Sequence, residues 1–154
     1  MTENSPNDDL PLVITKEYRS TKLKFADTAL VRTQKTDSLI KTDFILDMRN
    51  DSNLMMLESF SSLLKDSLQF YYFNEPCTLR ESKAYHLEGE LYYIQKYLYD
   101  EENSIDEEAL LYVCDRKLIG MVFLAWNGHR LHFYEGSEEI TALLQSDSSG
   151  FFYF

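Results

Sequence analysis

Ala109–Glu135, ALLYVCDRKLIGMVFLAWNGHRLHFYE, carries the strongest structural signal in the sequence. It reads as three antiparallel strands joined by two tight turns. Asn127-Gly128 is a pair favoured in type I′ turns, where both central positions need positive φ. With that pair as the loop, Trp126 opposes His129, Leu124 opposes Leu131, Val122 opposes Phe133 and Phe123 opposes His132. Side chains alternate across a strand, so Val122, Leu124, Trp126, Leu131 and Phe133 share one face, read as core. The other face carries Ile119, Met121, Phe123 and Ala125 beside Arg130, His132 and Tyr134. It is too apolar to be simply solvated, so either a helix or a partner is expected to cover it, and Met121, Phe123, His132 and Tyr134 are candidates for a second interface.

Working outward, residues 11–47 alternate apolar and polar side chains. Ile40, Thr42, Phe44 and Leu46 fall on one face, with Lys41, Asp43 and Asp47 on the other. This predicts a β-meander with a solvated outer side. Asp51-Ser52 offers an N-cap to a helix over about 53–67, with Met56, Leu57, Phe60, Leu63 and Leu64 in one stripe. QFYYF (69–73) is β-prone and is ended by Asn74-Glu75-Pro76. Thr78-Leu79-Arg80-Glu81 matches a capping box. Ala84, Leu87, Leu91, Ile94 and Leu98 then fit one helical face, interrupted by Gly89 and secure from Glu88 to Tyr99. Gly136-Ser137 starts a last short helix, and the terminal FFYF is expected to dock as a strand. The fold expected is α+β: a mostly antiparallel sheet, two main helices and one short C-terminal helix. Residues 1–10 are expected to be a disordered tail, and 11–154 a single domain.

At 154 residues with 44% apolar content, the chain is long enough to bury a core without staples. No apolar run approaches the roughly 20 residues that cross a bilayer, and no basic segment leads an apolar one at the N-terminus. Cys77 and Cys114 lack metal or redox spacing. A cytoplasmic protein is expected. The net charge of −11 is unevenly placed: residues 1–50 carry eight acids and eight bases, whereas residues 51–108 carry 13 acids and four bases. Such a field repels nucleic-acid phosphates and anionic membranes, so neither is an expected partner.

The candidates for chemistry are few. His129 and His132 stand three apart in a strand and point to opposite faces, so they cannot chelate together. The acidic run DEENSIDEE (100–108) lacks the alternating ligands and central glycine of an EF-hand loop. Cys77 precedes the expected helix start, where a thiol pKa can fall. Patterns for P-loops, dinucleotide binding, zinc proteases and nucleophile elbows are absent. No catalytic residue, metal or cofactor is expected.

YVCDRKLIGMVFLAW (112–126) resembles the paired central strands of the N-acetyltransferase superfamily. That resemblance implies a Gly-rich loop holding coenzyme A phosphates at a helix N-terminus. The corresponding place here, YEGSEEITALL (134–144), has one glycine, and Glu138-Glu139 would repel the phosphates.

Tyr85, Tyr92, Tyr93, Tyr97 and Tyr99 lie around the expected acidic second helix, and Tyr is enriched at interfaces. Tyr92, Tyr93, Tyr97, Tyr99, Asp100, Glu101, Glu102, Asp106, Glu107 and Glu108 therefore form the expected partner-binding surface. The expected function is that of an inhibitor or an immunity- or antitoxin-like protein masking a basic protein surface. A homodimeric acidic secretion chaperone using the Met121/Phe123/His132/Tyr134 face is the alternative, followed by a small enzyme such as an acyltransferase.

Overall fold

The computed structural model describes residues 12–47, 54–100, 108–125 and 127–152. The expected N-terminal tail, the Asp51-Ser52 cap and Trp126 lie outside them. The described strands are β1 (Leu12–Arg19), β2 (Lys22–Lys35), β3 (Leu39–Asp47), β4 (Leu54–Leu63), β5 (Phe70–Tyr72), β6 (Glu75–Pro76), β7 (Thr78–Leu87), β8 (Glu90–Tyr99), β9 (Ala109–Cys114), β10 (Lys117–Phe123) and β11 (Gly128–Tyr134). The helix α1 (Glu138–Gln145) follows. Chain neighbours pair antiparallel throughout, except at the β6–β7 junction, and β1 also pairs with β11. The result is one continuous sheet curled into a nearly closed barrel, with its seam between β6 and β7. Ring contacts between Phe70 and Tyr97, at 5.1 Å, and between Tyr72 and Tyr99, at 5.0 Å, draw the two sides of the seam together.

This architecture overturns the α+β expectation, because both expected main helices are strands. In the first, apolar residues at three- and four-residue intervals alternate between two sheet faces. Phe60 points into the lumen with Glu58 and Ser62, while Leu57 and Leu63 face outward. A short segment with apolar residues on both faces satisfies helical spacing as readily as strand spacing. In the second, Glu88 and Gly89 have φ of 51° and 82°, and Leu87 pairs with Glu90. The glycine read as a flaw in a helix is the turn of a two-residue hairpin. Phe73-Asn74 and Asp115-Arg116 make the same kind of turn, again with positive φ at both positions.

Asn127-Gly128 does not. Phe123 pairs with Gly128, Val122 with His129 and Gly120 with Leu131, so the loop runs from Leu124 to Asn127. The register moves by an even number of residues, which preserves the two faces of the hairpin but not their roles. Met121, Phe123, Arg130, His132 and Tyr134 turn into the lumen with Val13, Thr15, Phe44, Phe60, Tyr97 and Leu111. Burying each large apolar member of this set contributes about 1.5–3 kcal/mol.

Val122, Leu131 and Phe133 face outward, where α1 and Phe152 cover part of the sheet. Gly120 permits that approach: a Cβ there would stand 3.1 Å from Leu144 Cδ2 and 3.5 Å from Phe152 Cε2. Thr141 Oγ1 donates to the His132 carbonyl at 2.8 Å, and Tyr112 Oη donates to the Phe151 carbonyl at 2.7 Å. Phe151 and Phe152 are thus docked and buried, as bends and not as the expected strand.

Candidate functional site: a lumenal ion chain and the barrel end above it

A chain of charged side chains crosses the lumen. Arg130 on β11 donates from Nη1 to Glu58 Oε1 at 2.8 Å, and from Nη2 to Glu17 Oε1 at 2.7 Å. His132 Nε2 contacts Glu58 Oε2, while its Nδ1 lies 2.9 Å from Thr15 Oγ1. Phe44 packs edge-on against the imidazole at 4.5 Å, and the Arg130 guanidinium lies over the Phe123 ring. Burial alone would push the Glu58 carboxyl up. The charges and hydrogen bonds of His132 and Arg130 outweigh it and hold the group below the usual carboxylate range.

Thr15, His132 and Glu58 follow the hydroxyl–imidazole–carboxylate order of an acyl-transfer relay. All three are fully buried, and Arg130 already engages the carboxylate. The arrangement joins β1, β4 and β11 across the barrel, and the rings of Phe44 and Phe60 pack in the same core cluster. Sequence reasoning missed Glu58 because it lay in an expected helix. Its signal was Arg130, a cation on an otherwise apolar hairpin face with no acid of its own.

Beyond the ion chain, one barrel end holds Asp100 and Glu108 at the ends of the β8–β9 connection, and Arg19 and Lys22 of the β1–β2 turn stand at the same end, beside the β10–β11 loop. Tyr99 pairs with Ala109, so the run Asp100–Glu108 connects β8 to β9 at this end. Six of its nine residues are acids. The Leu124 amide donates to the Glu108 carbonyl at 3.1 Å, which sets the β10–β11 loop beside it. Tyr72 meets Tyr99 edge-on, placing the Phe73-Asn74 turn near the end of β8. Phe73 and Leu124 are 43% and 44% exposed. Two large apolar side chains therefore stand next to the strand ends that carry the acids.

The expected site residues separate. Tyr97 and Tyr99 are buried in the lumen, and Tyr97 Oη donates to the Leu68 carbonyl at 2.8 Å. Tyr93 is 53% exposed, on the lumen-side face of the β7–β8 hairpin. Tyr92 points to the opposite face and donates to Glu90. Asp100 and Glu108 are exposed, whereas Glu101, Glu102, Asp106 and Glu107 lie outside the described residues. Met121, His132 and Tyr134 are buried and Phe123 half-buried, so this set lines the barrel interior.

Cys77 sits between β6 and β7, away from any helix N-terminus, and burial pushes its thiol up to about 12. Burial likewise pushes Cys114 up to about 11. His129 and His132 lie on opposite faces of β11; His129 stacks on Tyr18 at 4.8 Å. Among the described residues no group of His, Cys, Asp and Glu is arranged to hold a metal ion. No described helix is long and apolar enough to cross a membrane. The segment resembling acetyltransferase strands forms β9 and β10 of the meander, and Ser137 makes no side-chain capping bond at the helix that follows.

The chain matches no family model, no curated protein and no solved structure.

Proposed function

We propose that this is a non-catalytic cytoplasmic binding protein that masks a basic surface of a protein partner with the barrel end carrying Asp100–Glu108. An inhibitor or immunity-type role is the form of this function that the chemistry suits. The observation that carries it is the pairing of an acid-rich connection with exposed Phe73 and Leu124 at the same end. Carboxylates speed encounter with a cationic surface, and apolar side chains at the contact slow dissociation. The lumen is filled by the protein's own rings, which leaves recognition to the exterior. No observation now favours the chaperone alternative, whose client surface was the face found inside the barrel.

The test is affinity capture from the native host, comparing the wild type with a variant in which Glu101, Glu102, Glu107 and Glu108 are changed to Lys. A basic protein retained at low salt, released at high salt and lost by the variant supports the reading. Identical capture by both proteins refutes it.

A further inference from the structure

The seam of the barrel leaves two sheet edges, and they are unlike. One is β6, two residues long and ending in Pro76, which has no amide to donate. The other is β7, ten residues long and mostly exposed. It pairs with β8 on one side, and no described strand pairs with its other side. An unpaired edge of this length is a template for another strand. The described C-terminal residues, up to Phe152, do not cover it. Asp147 binds Lys83 at 2.5 Å and also Tyr85, Phe151 then packs on Tyr112, and Phe152 reaches His129. That path crosses the outer face of the sheet and, among the described residues, leaves the edge open.

We propose that two copies of this chain pair antiparallel through β7. A bulge at Arg80 interrupts the β7–β8 register, so the regular edge is Glu81–Leu87. Its centre is Ala84. A two-fold axis there sets Ala84 against Ala84 of the second copy, Lys83 against Tyr85, Ser82 against His86 and Glu81 against Leu87. No like charges face one another, and Lys83 meets an aromatic ring, a favourable contact. Within one chain Lys83 already lies 5.1 Å from the Tyr85 ring centroid. Beside Ala84 on β8 stands Tyr93, and two residues on is Leu91, both substantially exposed on the lumen-side face. The small Ala84 side chains on the axis leave room for the two Tyr93 rings to close over them. Arg80, Glu81 and Lys83 leave β7 with a small net charge, so two copies meeting at this edge face little repulsion, although residues 51–108 as a whole are strongly acidic. An isologous contact of this kind closes on itself and consumes both free edges.

Analytical ultracentrifugation of the full chain, with hydrogen exchange at low and high protein concentration, tests this. The wild type is expected to dimerise, with backbone amides of residues 81–87 gaining protection as concentration rises. Ala84→Lys places two ammonium groups on the axis and is expected to weaken association by at least about tenfold, with the circular dichroism spectrum unchanged. Leu124→Lys, at the acidic barrel end, is expected to leave it unaltered. A wild type that stays monomeric at millimolar concentration overturns the proposal. So does a dimer whose protection falls elsewhere, or one that Ala84→Lys leaves equally tight.

Discussion

Replacing Arg130 with Met tests what the lumenal ion chain contributes. Met keeps most of the stem volume against Phe123 but removes the donors to Glu58 and Glu17. Glu58 is fully buried and would keep only His132 as a partner. Stranding one member of a buried pair costs about 3–5 kcal/mol. The surviving contact with His132, and the partial exposure of Glu17, place Arg130→Met at the lower end, about 3 kcal/mol. Urea unfolding followed by circular dichroism reads this as a lower midpoint at unchanged slope. Adding Glu58→Met removes the stranded charge, so the double variant is expected to be more stable than Arg130→Met alone. The dependence on pH has a definite sign. Glu58 is held below its ordinary range when folded, so its contribution is complete above the unfolded pKa, about 4.3. It is lost as pH falls from there through the folded value. The stability gap between wild type and Glu58→Gln is therefore expected to be widest near neutrality and to shrink below about pH 4. A loss under about 1 kcal/mol for Arg130→Met, or a double variant no more stable than Arg130→Met, would refute this account of the lumen.

Two further outcomes concern packing. Gly120→Val is expected to cost about 1–3 kcal/mol, because its side chain must displace Leu144, Leu131 and Phe152; faster proteolysis after residue 136 with the barrel intact would report α1 lifting away. Both thiols are raised by burial, to about 12 for Cys77 and about 11 for Cys114, so alkylation at pH 8 is expected to be slow until the protein unfolds. Rapid labelling of native Cys77 would contradict its placement.

What the sequence made legible was periodicity over long strands, and what it hid was context. The N-terminal meander and the Ala109–Glu135 segment alternate cleanly and are strands, although the last hairpin's turn, register and interior face differ from the expectation. Residues 54–63 and 78–99 carry apolar side chains on both sides of the sheet, because the lumen takes one set and the outer surface the other. Local spacing cannot separate that pattern from a helix. Glu88-Gly89 was the available correction, a turn pair between two Tyr- and Leu-bearing runs. His129 and His132 lie on opposite faces whatever the register of the hairpin, because they are three residues apart in one strand. Which face was interior could not be read from the hairpin alone. It depended on Glu58, some 70 residues away in the chain, supplying the counter-charge to Arg130.

The two surfaces proposed here do not compete, and the net charge of −11 does not forbid the dimer. Glu81–Leu87 runs away from the acidic end, since Leu87 pairs with Glu90 while Asp100 follows the far end of β8. From Tyr93, beside the proposed axis, to Asp100 is seven residues, or about 23 Å of strand at ~3.3 Å each. The Debye length in physiological salt is about 8 Å, so the acid of one copy is screened from the axis and from its counterpart. Two acidic ends facing away from a shared four-stranded ribbon would present two equivalent docking sites. A basic partner with repeated or paired cationic surfaces would then bind more tightly than either site alone allows, by effective concentration and without new contacts. Ala84→Lys separates these contributions: it should lower the avidity for such a partner while leaving the affinity of a single acidic end unchanged.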